Sequence, residues 1–356
     1  MVEAGTRVHF IGIGGIGVSA VARIAIGRGM VVSGSDVRRS QLTDAMEALG
    51  ARVFIGHDAA NLDGVELVVV STAIPSHNVE LAAAKERGTP LIHRSDLLAQ
   101  FLSVGTTVGV TGTHGKGTTS AMIARILDAA GRDPGFIVGG ILVDYGVNAR
   151  AGSEVIVAEV DESDGSHANV QTTHWLCNFL EADHLNYYDD LEHIIQTMAD
   201  AVNANPRLER LFVNGDCDGN RALLDRVNVA AVTYGVETAC DYRGRRIGDG
   251  QRPLRFEAFR GDASLGEFTI AVPGAYNIVN ALGAMAVADA LGVPVEAMRS
   301  GLADFHGLEN RFSIVDAAGV AIVKDYNSHP TAMRAVLASA RSLSPGRVFA
   351  VFKPYR

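Results

Sequence analysis

The sequence predicts an α/β protein built on parallel sheets, and three observations carry that reading. Short apolar runs alternate with helix-length segments through residues 1–104, the pattern of strands joined by crossover helices. Two apolar runs end in glycine-rich turns that enter helices: Phe10-Ile-Gly12-Ile-Gly14-Gly15-Ile16-Gly17 and Val108-Gly-Val110-Thr-Gly112-Thr113-His114-Gly115-Lys116-Gly117-Thr118-Thr119. Such turns let backbone N–H groups close on an anion at a helix N-terminus. The chain of 356 residues is also longer than one hydrophobic core usually supports, so two or three domains are expected.

Each element follows in order. In residues 1–104, strands are read at Arg7–Ile11, Val31–Ser35, Glu66–Val70 and Leu91–His93. Helices are read at Gly17–Gly29, Ala45–Leu49, Val79–Glu86 and Arg94–Leu102. The result is a Rossmann-like parallel sheet. Residues 105–310 begin again with a strand from Thr106 into the second turn, then a helix from near Lys116. Further strands are expected at Val155–Glu159, Trp175–Phe179, Leu211–Asn214, Val229–Tyr234 and Phe268–Val272, with helices at Leu191–Asn203 and Ala275–Leu291. The last helix stops at Gly292, with Pro294 beyond. Asp241–Gly266, rich in Gly and Arg, reads as meandering strands or loops. Residues 311–356 hold a strand at Val320–Val323, a helix at Thr331–Arg341 and a strand at Arg347–Phe352. That is little for a domain, so an incomplete C-terminal Rossmann-like unit is expected.

Composition narrows the partners. Hydrophobic residues at 47% and charged residues at 20% describe an ordinary globular chain. A net charge of −9 argues against a nucleic-acid partner, which demands clustered Lys and Arg, but not against nucleotides. Cys177, Cys217 and Cys240 are too few and too scattered for a disulfide framework or a cysteine zinc site. No leader pattern and no membrane-length apolar run is read, so a cytoplasmic protein with no membrane partner is expected.

The second turn carries the most chemistry. Lys116 supplies a full positive charge to the outer phosphates of a nucleotide, and a nearby hydroxyl normally meets magnesium. A strict phosphate loop has Gly where this chain has Val110, and Ser or Thr where it has Gly117. Thr118 offers a hydroxyl, about 100° further around the helix. Two acidic clusters, Glu159-Val-Asp161-Glu162-Ser-Asp164 and Glu181-Ala-Asp183-His184, follow apolar strands. They are expected to converge at the carboxyl edge of one sheet, where a hard cation finds oxygen ligands. In the first turn, Asp36 lies at the end of the next strand, where a ribose-binding acid is expected. Taken alone, that turn also suits an NAD dehydrogenase. Asn277 and Asn280 share one helical face; they suit an adenine or ribose edge, or Asn277 caps the helix.

Gly112-Thr-His-Gly-Lys116 resembles the Mur ligase family of ATP-dependent amide ligases, and the central histidine resembles its alanine-adding branch. Gly-Ile-Gly14-Gly15-Ile16-Gly17 with Ser33-Gly-Ser-Asp36 resembles the family's uridine-nucleotide unit. Ser71 and Arg94, in Val70-Ser71-Thr72-Ala73-Ile74-Pro75 and His93-Arg94, resemble positions lining the same site. The resemblance implies a UDP-sugar on Gly14, Gly15, Ile16, Gly17, Asp36, Ser71 and Arg94. It implies ATP on Gly112 to Thr119, Asn277, Asn280 and Arg311, with Lys116, Glu159 and His184 as the catalytic set. Mg²⁺ would lie on Glu159, His184 and Thr118. The implied reaction joins L-alanine to UDP-N-acetylmuramate through an acyl phosphate, in peptidoglycan biosynthesis.

The third unit departs from the family pattern. One of two usual arginines is Asn310, the first histidine of Asp-Tyr-X-His-His-Pro-Thr is Ser328, and Phe352-Lys-Pro-Tyr-Arg356 stands for Phe-Gln-Pro-His-Arg. Tyr276 replaces a histidine often found before the first Asn. In the family, roughly another domain's worth of chain would follow. His329-Pro-Thr-Ala-Met leans toward the related murein-tripeptide ligase, and a non-catalytic nucleotide-binding homologue is the other alternative.

Overall fold

The computed structural model describes residues 2–163, 165–249, 252–343 and 346–353. Its first sheet is five-stranded and parallel: β1 (Arg7–Ile11), β2 (Val31–Asp36), β3 (Arg52–Ile55), β4 (Leu67–Val70) and β5 (Leu91–His93), in the order β3-β2-β1-β4-β5. Helices α1 (Ile16–Gly27), α2 (Gln41–Ala48), α3 (Val79–Arg87) and α4 (Arg94–Leu102) connect these strands or follow them. The helix N-termini differ. Ser40, Asn78 and His93 cap α2, α3 and α4 with side chains, whereas α1 starts at Gly15 with none. Among the described residues, no side chain caps its first N–H groups.

The second sheet is ten-stranded and starts with β6 (Thr106–Thr111), which feeds α5 (Lys116–Ala129). Then come β7 (Gly135–Leu142), β8 (Val147–Arg150), β9 (Val155–Glu159), β10 (His174–Cys177), α6 (Leu191–Asn203), β11 (Arg210–Asn214) and α7 (Asp218–Leu224). β12 (Ala231–Gly235), β13 (Tyr242–Arg246), β14 (Leu254–Arg260), β15 (Ala263–Ile270), α8 (Tyr276–Ala290) and α9 (Val295–Ala303) complete it. The strand order is β15-β14-β13-β12-β11-β10-β6-β9-β7-β8. β6 therefore lies between β9 and β10 and parallel to both, with Val110 level with Glu159 and Thr111 level with Cys177. That register brings both acidic clusters to the edge where the second glycine turn begins.

The meandering reading of Asp241–Gly266 resolves into β13, β14 and the start of β15, an antiparallel ribbon extending the sheet. One apolar core runs from Val8 and Phe10 in the first sheet to Trp175 and Leu211 in the second. Between the sheets, Asn148 Nδ2 donates to the carbonyl of Ile16 at 2.7 Å.

Beyond α9, Val143 N–H donates to Gly307 O and Glu309 N–H to Ile141 O, both at 3.0 Å, so the connecting segment is held against β7. The third unit comprises the antiparallel pair β16 (Ser313–Ala317) and β17 (Val320–Lys324), then α10 (Pro330–Leu343). Arg347–Phe352 is not a strand, contrary to expectation. A strand needs a neighbour to complete its hydrogen bonds, and none of the described residues supplies one; Phe349 and Val351 are exposed.

Candidate functional site

The second glycine turn is built to expose N–H groups. Gly115, the N-cap of α5, has φ +77°, and a Cβ there would fall 2.1 Å from Asn178 Nδ2 and 2.4 Å from Asn280 Oδ1. Only glycine fits. Asn178 Nδ2 donates to His114 O at 3.1 Å and to Asn280 Oδ1 at 2.9 Å, so one buried amide ties the turn to α8. Thr113 N–H donates to Phe179 O at 2.6 Å, fixing the turn to the segment after β10.

Lys116 Nζ donates to Gly112 O at 2.8 Å and to Glu162 Oε1 at 2.7 Å. Burial works against the charge on Lys116, but Glu162, Glu159 and Asp161 outweigh it and raise the ammonium's pKa. Burial pushes the Glu162 carboxyl up, with Lys116 opposing. The Glu162 side chain is buried, and its Oε2 has no hydrogen-bond partner among the described residues. His184, at φ +53°, holds Nε2 3.9 Å from Glu162 Oε1 and 3.8 Å from Asp183 Oδ2. Glu159 Oε2 accepts from Gly139 N–H at 2.7 Å. A Cβ on Gly117 would lie 3.1 Å from that oxygen, as would one on Gly139, so a side chain at position 117 would point toward Glu159.

These groups suit a hard divalent cation. They are carboxylates and an imidazole around a buried oxygen that has no proton donor. Asp164, in the same acidic run, lies outside the described residues, as do Pro354, Tyr355 and Arg356.

Beside the turn, a cleft with about 870 Å³ of empty space is lined by His114, Gly115, Gly117, Thr118, Tyr276, Asn277, Asn280, Leu308, Arg311 and α10. Asn277 is not the helix cap; Ala275 holds that position. Asn277 Nδ2 donates to Pro273 O at 2.7 Å and its Oδ1 accepts from Asn280 at 3.0 Å. Both amides thus brace the cleft wall while lining it. Thr119 Oγ1 joins the same network through Asn280 at 3.3 Å. Arg311 stacks on Tyr326 at 3.7 Å and donates to Asn327 Oδ1 at 2.6 Å, within the third unit.

The first turn forms a separate site. Gly14 N–H donates to Asp36 Oδ2 at 2.9 Å, so Asp36 braces the turn at the end of β2. The turn at Ser71, where Ile74 N–H donates to Ser71 O at 3.1 Å, packs Ile74 over Gly12. Arg94 lies against Gly17 and reaches to 3.8 Å from Asp161 Oδ2, across to the acidic cluster of the second sheet.

Three family profiles match consecutive stretches of the chain: the Mur ligase family catalytic domain at residues 7–105, the Mur ligase middle domain at 110–288 and the Mur ligase glutamate ligase domain at 310–355. The chain belongs to the Mur ligase family. It is 40% identical over 357 residues to the UDP-N-acetylmuramate–L-alanine ligase of Phenylobacterium zucineum, covering 98% of this chain and 75% of that one. It is 39% identical over 352 residues to the ligase of the same name from Myxococcus xanthus, again with 98% and 75% coverage. The crystal structure of UDP-N-acetylmuramate–alanine ligase from Thermotoga maritima matches with a TM-score of 0.83 and 27% identity, over 96% of this chain and 78% of that one. UDP-N-acetylmuramate:L-alanyl-γ-D-glutamyl-meso-diaminopimelate ligase from Neisseria meningitides gives 0.77 and 28%, over 86% and 100%.

In this Mur ligase Glu162 lies between Lys116 and His184, Glu159 sits against Gly139, and Thr118 lines the cleft. Three contributors were not singled out by sequence reasoning: Glu162, Asn178 and Gly139. Glu162 stood within a recognised acidic run, which was the available signal. Asn178 and Gly139 gave none, because each acts through a contact distant in sequence.

Proposed function

We propose that this Mur ligase joins L-alanine to UDP-N-acetylmuramate at the expense of ATP. The carrying observation is two glycine turns on separate sheets, linked by Arg94 and Asp161 across the acidic pocket. We assign residues 1–104 to the UDP-sugar, 105–310 to ATP, and Arg311 to Val336 to the cleft's outer wall.

A carboxylate is a poor acylating agent, so its oxygen first takes the γ-phosphoryl group of ATP, releasing ADP and giving an acyl phosphate. Lys116, released from Glu162, would spread charge on the transferring group, and the turn N–H groups would hold the neighbouring phosphates. The amine of L-alanine then attacks the acyl carbon, and the tetrahedral intermediate expels phosphate. Mg²⁺, when bound, supplies charge neutralisation; Glu159 and His184, with Glu162 beside them and Thr118 reaching from the cleft side, would hold it. The turn at Gly14 to Gly17 would take the diphosphate of the UDP-sugar, with Arg94 directing the sugar acid toward Asp161. Asn277, Asn280 and Arg311 would frame the adenosine and phosphates of ATP.

The test is mass spectrometry of a mixture of ATP, Mg²⁺, UDP-N-acetylmuramate and L-alanine. The proposal expects UDP-N-acetylmuramoyl-L-alanine and phosphate, formed only when all components are present. The Neisseria match makes the L-alanyl-γ-D-glutamyl-meso-diaminopimelate tripeptide the necessary second acceptor. Product with the tripeptide alone would move the assignment to that branch. A nicotinamide-dependent absorbance change would contradict both.

A further inference from the structure

Away from the acidic pocket, His114 of the phosphate turn, Glu181 after β10 and His329 at the head of α10 meet on the cleft's rim. Glu181 Oε2 lies 3.0 Å from His114 Nε2 and 3.5 Å from His329 Nδ1. The three ligand atoms all fall within 4.8 Å of one another, and the imidazole centroids are 4.6 Å apart. We propose that these three side chains form a transition-metal site of the zinc class, in which His329 of the third unit is clasped to the phosphate turn.

Three features argue for an ion and not only a hydrogen-bonded cluster. First, His329 is oriented as a ligand: Nε2 donates to Ala182 O at 3.3 Å. Metal-binding histidines almost always place their second N–H on such an acceptor. Second, Thr331 N–H donates to His329 Nδ1 at 3.3 Å, so Nδ1 carries a lone pair. Nδ1 also faces Glu181 Oε2 at 3.5 Å with no proton between them, and a cation bound there would take its one lone pair from the long Thr331 contact. Third, the spacing is right. Ligand atoms about 2.1 Å from a tetrahedral zinc stand about 3.4 Å apart, and both measured Glu181 distances lie near that value. The remaining gap, between the two imidazoles, closes by side-chain rotation, and water takes the fourth position. On binding, His114 gives up its Nε2 proton to solvent or to Nδ1, as metal capture by an imidazole requires.

Two imidazoles and one carboxylate favour zinc-like ions over magnesium, which prefers oxygen. The site is therefore chemically distinct from the pocket of Glu159, Glu162 and His184. Its ligands come from the phosphate turn and from the third unit, so an occupied site would pin one to the other.

The experiment is Zn²⁺ titration of the full chain by calorimetry in excess Mg²⁺, with visible absorption of Co²⁺ as the geometric readout. The expected result is one tight Zn²⁺ per chain and a tetrahedral Co²⁺ spectrum. His329→Ala and Glu181→Gln should each weaken binding at least about tenfold, while His184→Ala leaves it unchanged. Thermal melting checks that each variant is folded. Equal affinity in wild type and a folded His329→Ala would overturn the proposal. So would loss of the site in His184→Ala alone, which would place the ion in the acidic pocket.

Discussion

Glu80 and Glu162 are both buried glutamates, one behind each glycine turn, and their surroundings are opposite. Glu80 accepts from Ser35 Oγ at 2.5 Å, Asn61 Nδ2 at 2.7 Å and His57 Nδ1 at 2.9 Å, and His9 Nε2 is 3.6 Å away. Burial alone would raise its pKa, yet the facing His9 and the hydrogen bonds from Ser35 and Asn61 outweigh burial and hold it at about 2. Ser35 in turn accepts from Gly12 N–H at 2.8 Å and Ile13 N–H at 3.0 Å, so a satisfied carboxylate underpins the first turn. Glu162 has one oxygen on Lys116 and the other on nothing described, and its pKa is raised. A fully satisfied buried network rigidifies, whereas an unfinished one marks a place where a ligand completes it. The first turn is braced by its own side chains; the second holds its lysine on an internal counter-ion, which under the proposed function substrate would replace.

The largest way to break this contrast is Lys116→Met. Phosphate release should fall by roughly 10³-fold or more, since a preorganised charge at the transferring group is lost. UDP-sugar affinity should not change. A loss of both would mean that the two turns are not independent.

Glu80→Gln tests the other side. The folded-state pKa near 2 lies below the ordinary 4.5, so the carboxylate's contribution is fully present above 4.5 and disappears as pH falls toward 2. The shift corresponds to about 3 kcal/mol. Chemical denaturation across pH 2 to 7 should show wild type losing that stability and the variant starting lower with a flatter profile. A wild-type profile that is flat in this window would refute the bracing role.

Gly14→Ala would set a Cβ 2.8 Å from Asp36 Oδ2 and displace the brace. UDP-sugar affinity should drop about tenfold, as for one lost charge-assisted hydrogen bond, with ATP affinity intact by calorimetry. The smallest effect belongs to Gly117→Ser. Its hydroxyl would face Glu159, with Val138 and Leu308 at 3.3 and 3.4 Å from the new Cβ. Since magnesium accepts water in place of a protein ligand, Mg²⁺ dependence of ATP binding should sharpen only about two- to fivefold. An unchanged Mg²⁺ dependence would show that position 117 does not face the ion.

Much of this architecture was legible because its signals are local. The α6 helix falls on the expected residues, and the apolar strands β6 and β9 lead into their acidic or glycine-rich ends as their sequences indicate. β7 was not seen, since Gly135, Gly139 and Gly140 interrupt its apolar run. The short α7 and α9 were passed over for want of a long period. The expected Arg347–Phe352 strand failed for the opposite reason, its local pattern being right with no partner beside it. At the site, Lys116, Glu159 and His184 could be named from motifs. The unpartnered oxygen of Glu162 could not, because it depends on how the acidic loop folds back over the lysine. Asp36 was expected on a ribose; its bond to Gly14 N–H, which braces the turn, was not read from the sequence.

The account's central claim is that the two turns hold two different nucleotides. It is tested most directly by calorimetric titration of Lys116→Met and Gly14→Ala, each with an ATP analogue and with UDP-N-acetylmuramate. The account predicts a double dissociation: Lys116→Met loses ATP affinity and keeps the UDP-sugar, and Gly14→Ala does the reverse. Parallel loss of both ligands in either folded variant, or competition between the ligands in wild type, would contradict it.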